Sequence, residues 1–198
     1  MYLYLVRHGE SEGNTSGVFH GQKDFPLTDK GREQARESGR KLKEKHFTRC
    51  CASDLKRAWE TAQLCLEGRD IEPEACPDLR EHDVGSLLEG TPWPQLRESD
   101  PELAQGYIHD WFHTYVPGGE SPEAMIERVS RCVDVIIERG EDTLIAAHNV
   151  CLNVILHHLG LREEAIAIQG RTASFFEQGC YTAIEIADGK AKLLGFNL

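Results

Sequence analysis

The sequence predicts an α/β fold: a three-layer α/β/α sandwich around a mostly parallel sheet, with an antiparallel C-terminal edge and a small helical insertion. Three observations predict it. Strand-like and helix-like segments alternate along most of the chain. Two apolar runs, residues 1–6 and 143–147, each hand over abruptly to polar groups that include a histidine. The tail carries two strand-like runs around Asp188-Gly189, a hairpin signal.

The elements follow in order. Residues 1–6 read as the first strand, and a Gly-rich loop over Asn14–Pro26 follows. Thr28 is placed to cap a polar helix over about 29–45, with Ala35, Gly39 and Leu42 as its contact stripe. Thr48–Ala52 is a short second strand. Ser53 is expected to cap a second helix, in which Leu55, Ala58, Trp59, Ala62, Cys65 and Leu66 recur at helical spacing and Gly68 ends the run. A third strand falls near 72–76. From about 86 to 120 regularity is lost among prolines and aromatic residues, which reads as a cap-like insertion with short helices. Trp93, Tyr107, Trp111, Phe112 and Tyr115 could wall a pocket there, or equally pack the insertion onto the rest. His109 and His113 could share a helix face or be solvated. Ser121-Pro122 starts a helix whose Met125, Val129, Cys132, Val133 and Ile136 form an apolar stripe. Thr143–Ala147 is a buried strand, and residues 150–159 are an apolar helix stopped by Gly160.

At 198 residues, with no linker or internal repeat, the chain is expected to be one domain over 1–198. A net charge of −11 opposes a nucleic-acid or anionic-membrane surface, both of which need a basic face. An anionic small molecule stays compatible, because a few arginines in a cleft override the mean field locally. No apolar stretch is long enough to span a bilayer, and the N-terminus reads as a strand rather than a signal peptide. Seven cysteines without a C-x-x-C pair read as reduced thiols, pointing to a cytoplasmic protein. Cys151 lies three residues after His148, but no matched ligands accompany it, so no metal is expected. An edge strand in the C-terminal hairpin leaves a homodimer open.

The chemistry collects at strand ends. Arg7 offers a fixed fork of donors suited to phosphate oxygens, and His8 an imidazole that is nucleophilic when neutral. His148 follows the strand 143–147 directly. Arg57 sits one turn into the helix after strand 48–52, and Glu81 follows the third strand. In an open α/β sheet, ligands bind at the carboxyl ends of strands. Taken alone, His148 reads more readily as structural, Arg57 as a solvated helix residue and Glu81 as surface; the joint placement suggests phosphoryl transfer.

Here the chain resembles the histidine phosphatase superfamily, in its phosphoglycerate-mutase-like branch. The resemblance runs through Arg7-His8-Gly9-Glu10-Ser11 with Asn14, Gly21-x-x-Asp24-x-Pro26-Leu27-Thr28-x-x-Gly31, and Ser53-x-Leu55-x-Arg57-Ala58-x-x-Thr61-Ala62. It continues through Leu79-Arg80-Glu81, Gly85, Glu89-Gly90, Gly118-Gly119-Glu120-Ser121 and His148. It implies that His8 becomes phosphohistidine and that Arg7, Arg57 and His148 cradle the phosphoryl group. It implies further that Glu81 protonates the leaving oxygen and later activates water. Asn14, His20, Gly21 and Asn149 would line the phosphate pocket. Asn149 stands where the family often has glycine, Gly13 where mutases usually have Trp, and His82 where an aromatic residue is frequent.

The expected activity is metal-independent, cofactor-free hydrolysis of a small phosphorylated metabolite, on the side of alpha-ribazole and broad-specificity phosphatases. The short third-strand insertion and Gly118-Gly119-Glu120-Ser121 favour this over a bisphosphoglycerate-dependent mutase. A non-catalytic phospho-ligand-binding module is the alternative of another class. Gly9-Glu10-Ser11-Glu12-Gly13 also matches the G-x-S-x-G nucleophile elbow. That reading leaves both arginines without a purpose, and Asn14–Pro26 reads as loop where an elbow runs into a helix.

Overall fold

The computed structural model describes residues 1–170 and 175–198. Its strands are β1 (Tyr2–Arg7), β2 (Arg49–Ala52), β3 (Pro73–Ala75), β4 (Thr143–Ala147), β5 (Thr182–Ala187) and β6 (Lys190–Gly195). They form one sheet in the order β3-β2-β4-β1-β5-β6. The first four in that order run parallel, and β5 and β6 continue antiparallel. Asp188 (φ 51) and Gly189 (φ 69) make the left-handed turn between β5 and β6, as the Asp-Gly pair predicts.

The helices are α1 (Glu12–Thr15), α2 (Asp29–Lys41), α3 (Lys56–Cys65), α4 (Gly85–Leu88), α5 (Trp93–Ser99), α6 (Pro101–His109), α7 (Pro122–Glu138), α8 (Asn149–His158) and α9 (Arg162–Gln169). Strand alternation sorts them into layers. Leu3 and Leu5 of β1, with Ile145 and Ala147 of β4, face one core together with α7 and α8. Tyr4 and Val6, with Leu144 and Ala146, face the other, under Leu42 beside α2 and Ala62 and Cys65 of α3. The period of two thus gives each strand two buried faces, which is why these runs are continuously apolar.

A third cluster joins Phe19, Val84, Leu96, Leu103, Ala104 and Val116. It packs the 86–120 segment: Trp93 and Tyr107 stand edge-on to Phe19, with ring centroids at 5.0 and 4.7 Å. Trp111 rests on the main core, and Phe112 lies against Trp111 beneath the Arg162 guanidinium. These four aromatics pack the insertion; Tyr115 is exposed. His109 and His113 are exposed as well, and His113 pairs with Asp110.

Four local expectations are corrected. The loop after β1 contains a one-turn helix, α1, because Ser11 and Asn14 form a capping box. The α2 helix stops at Lys41 rather than near 45, where Arg69 Nη2 gathers the carbonyls of Leu42, Lys43 and Lys45 at 2.6, 3.2 and 3.2 Å. Ser53 does not cap α3; Leu55 occupies that position without a side-chain bond. The α9 helix has no counterpart in the sequence pattern, since Ala165 is its one buried residue and leaves no apolar stripe to read.

Candidate active site

Parallel strands β1, β2, β3 and β4 end at one edge of the sheet, and each delivers a polar group there. β1 passes to His8, whose N–H donates to Ala147 O at 2.9 Å. β4 passes to His148, the N-cap of α8. β2 passes to Ser53, whose N–H donates to Ala146 O at 3.0 Å. β3 leads through a tight turn at Pro77–Leu79 to Glu81.

His8 is almost fully buried, and its Nδ1 lies 2.7 Å from Gly9 O. A carbonyl only accepts, so Nδ1 carries the hydrogen and the lone pair falls on Nε2. Burial, then the charges of Arg57 and Arg7, hold His8 well below the ordinary imidazole value. The ring is therefore neutral at neutral pH. The His148 ring stands 5.1 Å away, tilted by 59°. It too is held well below the ordinary value, first by burial and then by Arg57 and His8.

His148 Nε2 is 2.9 Å from Ser53 Oγ, and both side chains are wholly buried. The same hydroxyl accepts the Leu55 N–H at 3.4 Å and has its own proton available for Nε2. When the hydroxyl donates to Nε2, the ring hydrogen of His148 lies on Nδ1.

The arginines are fixed by backbone carbonyls. Arg57 donates through Nη2 to Gly21 O (2.6 Å) and through Nη1 to Lys23 O (2.8 Å). Thr61 Oγ ties the first turn of α3 to the residue after His8, donating to Arg57 O and accepting from Gly9 N. Arg7 donates through Nη1 to Phe176 O (3.0 Å) and lies 4.6 Å from the Phe175 ring centroid. Burial lowers Arg7 to about 10, partly countered by Glu81, so it stays charged at neutral pH. Arg7 Nε, Arg57 Nε and His148 Nδ1 are buried and have no acceptor among the described residues.

The Glu81 carboxylate sits on the first turn of α8. Its Oε1 accepts from His82 N (3.0 Å) and Cys151 N (3.2 Å), and Oε2 accepts from Val150 N (3.2 Å). Arg128, paired with Glu120 through two bonds, holds the Glu81 carbonyl. Glu81 acts electrostatically on both Arg7 and Arg57, which places all five candidate residues in one field.

The remaining candidates surround these. Asn14 Oδ1 is engaged by Ser11 and by Gln178 Nε2, and Asn14 lines a cleft of about 330 Å³ with Arg7, Gln34, Phe175, Glu177 and Gln178. His20 donates from Nδ1 to Val18 O, and burial lowers its pKa. Gly21 turns its carbonyl to Arg57 and its N–H to Glu89. Asn149 Oδ1 accepts the Phe176 N–H, and so anchors the segment whose carbonyl holds Arg7. The nucleophile-elbow serine is spent on structure: Ser11 Oγ donates to Asn14 Oδ1 and accepts from Asn14 N. At the departure from the aromatic pattern, His82 stacks on Tyr107 and donates from Nε2 to Glu120 O. Sequence reasoning missed the Ser53 contact, Arg128 and the 175–178 segment, and carried Thr61 and Glu120 only as motif residues without their contacts. Among the described residues no group of three His, Cys, Asp or Glu side chains could hold a metal ion, and no helix is long and apolar enough to cross a membrane.

Two buried imidazoles flanked by the buried Arg57 and the half-buried Arg7 at the carboxyl edge of this sheet define a histidine phosphatase. The chain belongs to branch 1 of the histidine phosphatase superfamily, whose family model matches residues 3–198. It is an enzyme of the phosphoglycerate-mutase-like family. It is 34% identical to the adenosylcobalamin/alpha-ribazole phosphatase of Salmonella typhimurium, over 100% of this chain and 96% of the relative. It is 37% identical to a 2,3-bisphosphoglycerate-dependent phosphoglycerate mutase of Methylobacterium, over 83% of each. The crystal structure of the alpha-ribazole phosphatase from Shigella flexneri superposes with a TM-score of 0.84 at 31% identity, covering 100% of this chain and 96% of that one.

Proposed function

We propose that this chain hydrolyses the phosphomonoester of a small metabolite through a phosphohistidine on His8, without a metal ion. The observation that carries this reading is the set of three buried donors around His8 (Arg7 Nε, Arg57 Nε and His148 Nδ1) with no acceptor among the described residues. Buried N–H groups are almost always paired, and an unmade bond costs about 1–3 kcal/mol. Three beside one neutral imidazole are suited to the oxygens of a phosphoryl group. His8 Nε2 attacks phosphorus as the bond to the leaving oxygen breaks. The guanidiniums and His148 neutralise charge on the equatorial oxygens. Glu81, once protonated, gives its proton to the leaving alkoxide, then as carboxylate takes one from the water that cleaves the phosphohistidine.

Phosphatase is favoured over mutase because the match to alpha-ribazole phosphatases runs the length of both chains, whereas the mutase match leaves part of each uncovered. Alpha-ribazole 5′-phosphate is accordingly the first compound for a phosphate-release screen. The test of the chemistry is p-nitrophenyl phosphate turnover with and without EDTA, in wild type and His8→Ala. Wild type turns over equally in both buffers, and His8→Ala is inactive. Full activity in His8→Ala removes the assigned nucleophile, and reversible loss in EDTA removes the metal-free mechanism.

A further inference from the structure

Glu89 lies in the insertion, at the C-terminal end of α4, yet its carboxylate reaches back to the corner behind Arg57. Three consecutive backbone N–H groups donate to it: Gly21 N at 3.1 and 3.2 Å to its two oxygens, Gln22 N at 3.1 Å and Lys23 N at 3.3 Å. The same three-residue corner presents Gly21 O and Lys23 O to the two Nη atoms of Arg57. One peptide unit is therefore gripped from both sides. Its oxygen, from Gly21, accepts from Arg57 Nη2, and its N–H, from Gln22, donates to Glu89 Oε2. Charges of opposite sign at the two ends of a peptide dipole strengthen both hydrogen bonds. The corner cannot relax by inserting bulk, since a Cβ on Gly21 would collide with His82 O. With both Nη atoms engaged, the guanidinium has one orientation, which leaves Nε and the second N–H of each Nη as its remaining donors.

We infer that Glu89 is a positioning residue for phosphoryl transfer, clasping residues 21–23 so that Arg57 is held in the orientation the reaction uses. The inference rests on the proposed phosphatase mechanism. Glu89 itself touches neither the phosphoryl group nor His8, and so acts through Arg57.

The test compares wild type, Glu89→Gln, Glu89→Asp and His8→Ala on p-nitrophenyl phosphate, with kcat, KM and the acid limb of kcat/KM against pH. Glu89→Gln keeps the shape but replaces one acceptor oxygen by an amide that repels backbone N–H groups. The expected result is a fall in kcat of roughly 10- to 100-fold, the range seen when outer partners that orient a site are removed. KM changes less, and Glu89→Asp recovers part of kcat. The acid limb gives the sign. His8 is faced by Arg7, Arg57, His20 and His148, and Arg57 is the largest charge that lowers it. If Arg57 swings away, His8 rises toward its ordinary value and the acid limb moves to higher pH. Direct loss of the Glu89 charge works the other way, because removing a negative charge lowers nearby imidazoles; Glu89 raises His20. The substrate's own ionisation is common to every variant. An upward shift supports the inference. An unmoved or lowered acid limb, or wild-type kcat, overturns it, including when stability falls. If Glu89→Gln does not fold, the same measurements on Glu89→Asp decide in the same way. An inactive wild type, or an active His8→Ala, instead strikes the phosphatase reading.

Discussion

His148 Nε2 and Ser53 Oγ meet at 2.9 Å across two neighbouring strand ends, with both side chains wholly buried. A hydroxyl that donates to Nε2 holds the ring hydrogen on Nδ1, so the contact couples Ser53 to the tautomer of His148. Ser53→Ala frees the ring to adopt either tautomer and leaves Nε2 unpaired. The expected outcome is a loss of kcat of roughly 10- to 100-fold with little change in KM. Steady-state kinetics on p-nitrophenyl phosphate check it; an unchanged kcat means that the tautomer is set by other contacts.

In the proposed mechanism Glu81 is separated from the other site residues, since there it handles protons rather than phosphoryl oxygens. Glu81→Gln removes the transferable proton and keeps one acceptor oxygen, so it retains the bond to either the Val150 or the Cys151 N–H and loses the other. An alkyl phosphate, whose leaving alkoxide is strongly basic, should slow by roughly 10²- to 10⁴-fold. p-Nitrophenyl phosphate, whose phenolate leaves without help, should slow much less in its first step. Burst kinetics separate that step from hydrolysis of the phosphoenzyme. Equal loss in the first step on both substrates counts against proton donation by Glu81.

How far the site is legible in the sequence follows from where each group sits in the chain. Arg7, His8 and His148 can be read because each lies at the end of a continuously apolar strand, and strand ends sit at one edge. Arg57 and Glu81 are one short turn removed and need their neighbours for support. Ser53 misleads because its local pattern, a polar residue shortly before an apolar helix, is that of a cap. Its partner lies 95 residues on, and the β2–β4 pairing is what brings the two together. Glu89 is visible only as part of a motif, since a carboxylate that binds backbone N–H groups leaves no trace in side-chain periodicity. The sheet is legible nearly in full, whereas α9 escapes, because a helix with one buried residue has no stripe.

The lowered histidines predict that the fold loses stability in acid. His8, His20 and His148 are all lowered by burial. In the unfolded chain each titrates near the ordinary value of about 6.5. Above that pH both states are neutral at these positions and the histidines cost nothing. As pH falls below it, the unfolded chain takes up protons that the folded one refuses, so stability declines toward the folded-state values. Ordinary carboxylates titrate near about 4, below most of this window. Melting temperature should therefore drop steadily from pH 7 to pH 5. A flat profile over that range means that these imidazoles protonate in place.

Gly31 offers a test in which helix propensity and packing predict opposite signs. It occupies the first turn of α2, where its N–H donates to Thr28 Oγ at 3.0 Å. In an exposed helix, alanine would be better than glycine by about 1 kcal/mol. Here a Cβ on Gly31 would run into the backbone oxygen of Glu10, and one on Gly9 would run into the carbonyl of Gly31. The two segments are packed backbone on backbone, with Thr28 N donating to Glu10 O at 2.9 Å. Rigid backbone cannot yield as a side-chain tip would, so Gly31→Ala should destabilise by roughly 1–3 kcal/mol despite its propensity. In a chain of this size that is roughly 2–4 °C in melting temperature for each kcal/mol. The displaced segment includes Gly9, whose carbonyl holds His8 Nδ1, so kcat should fall along with stability. A melting curve and a kcat on the same sample check both. A stabilised, fully active Gly31→Ala would show that α2 can move off the His8 segment without cost.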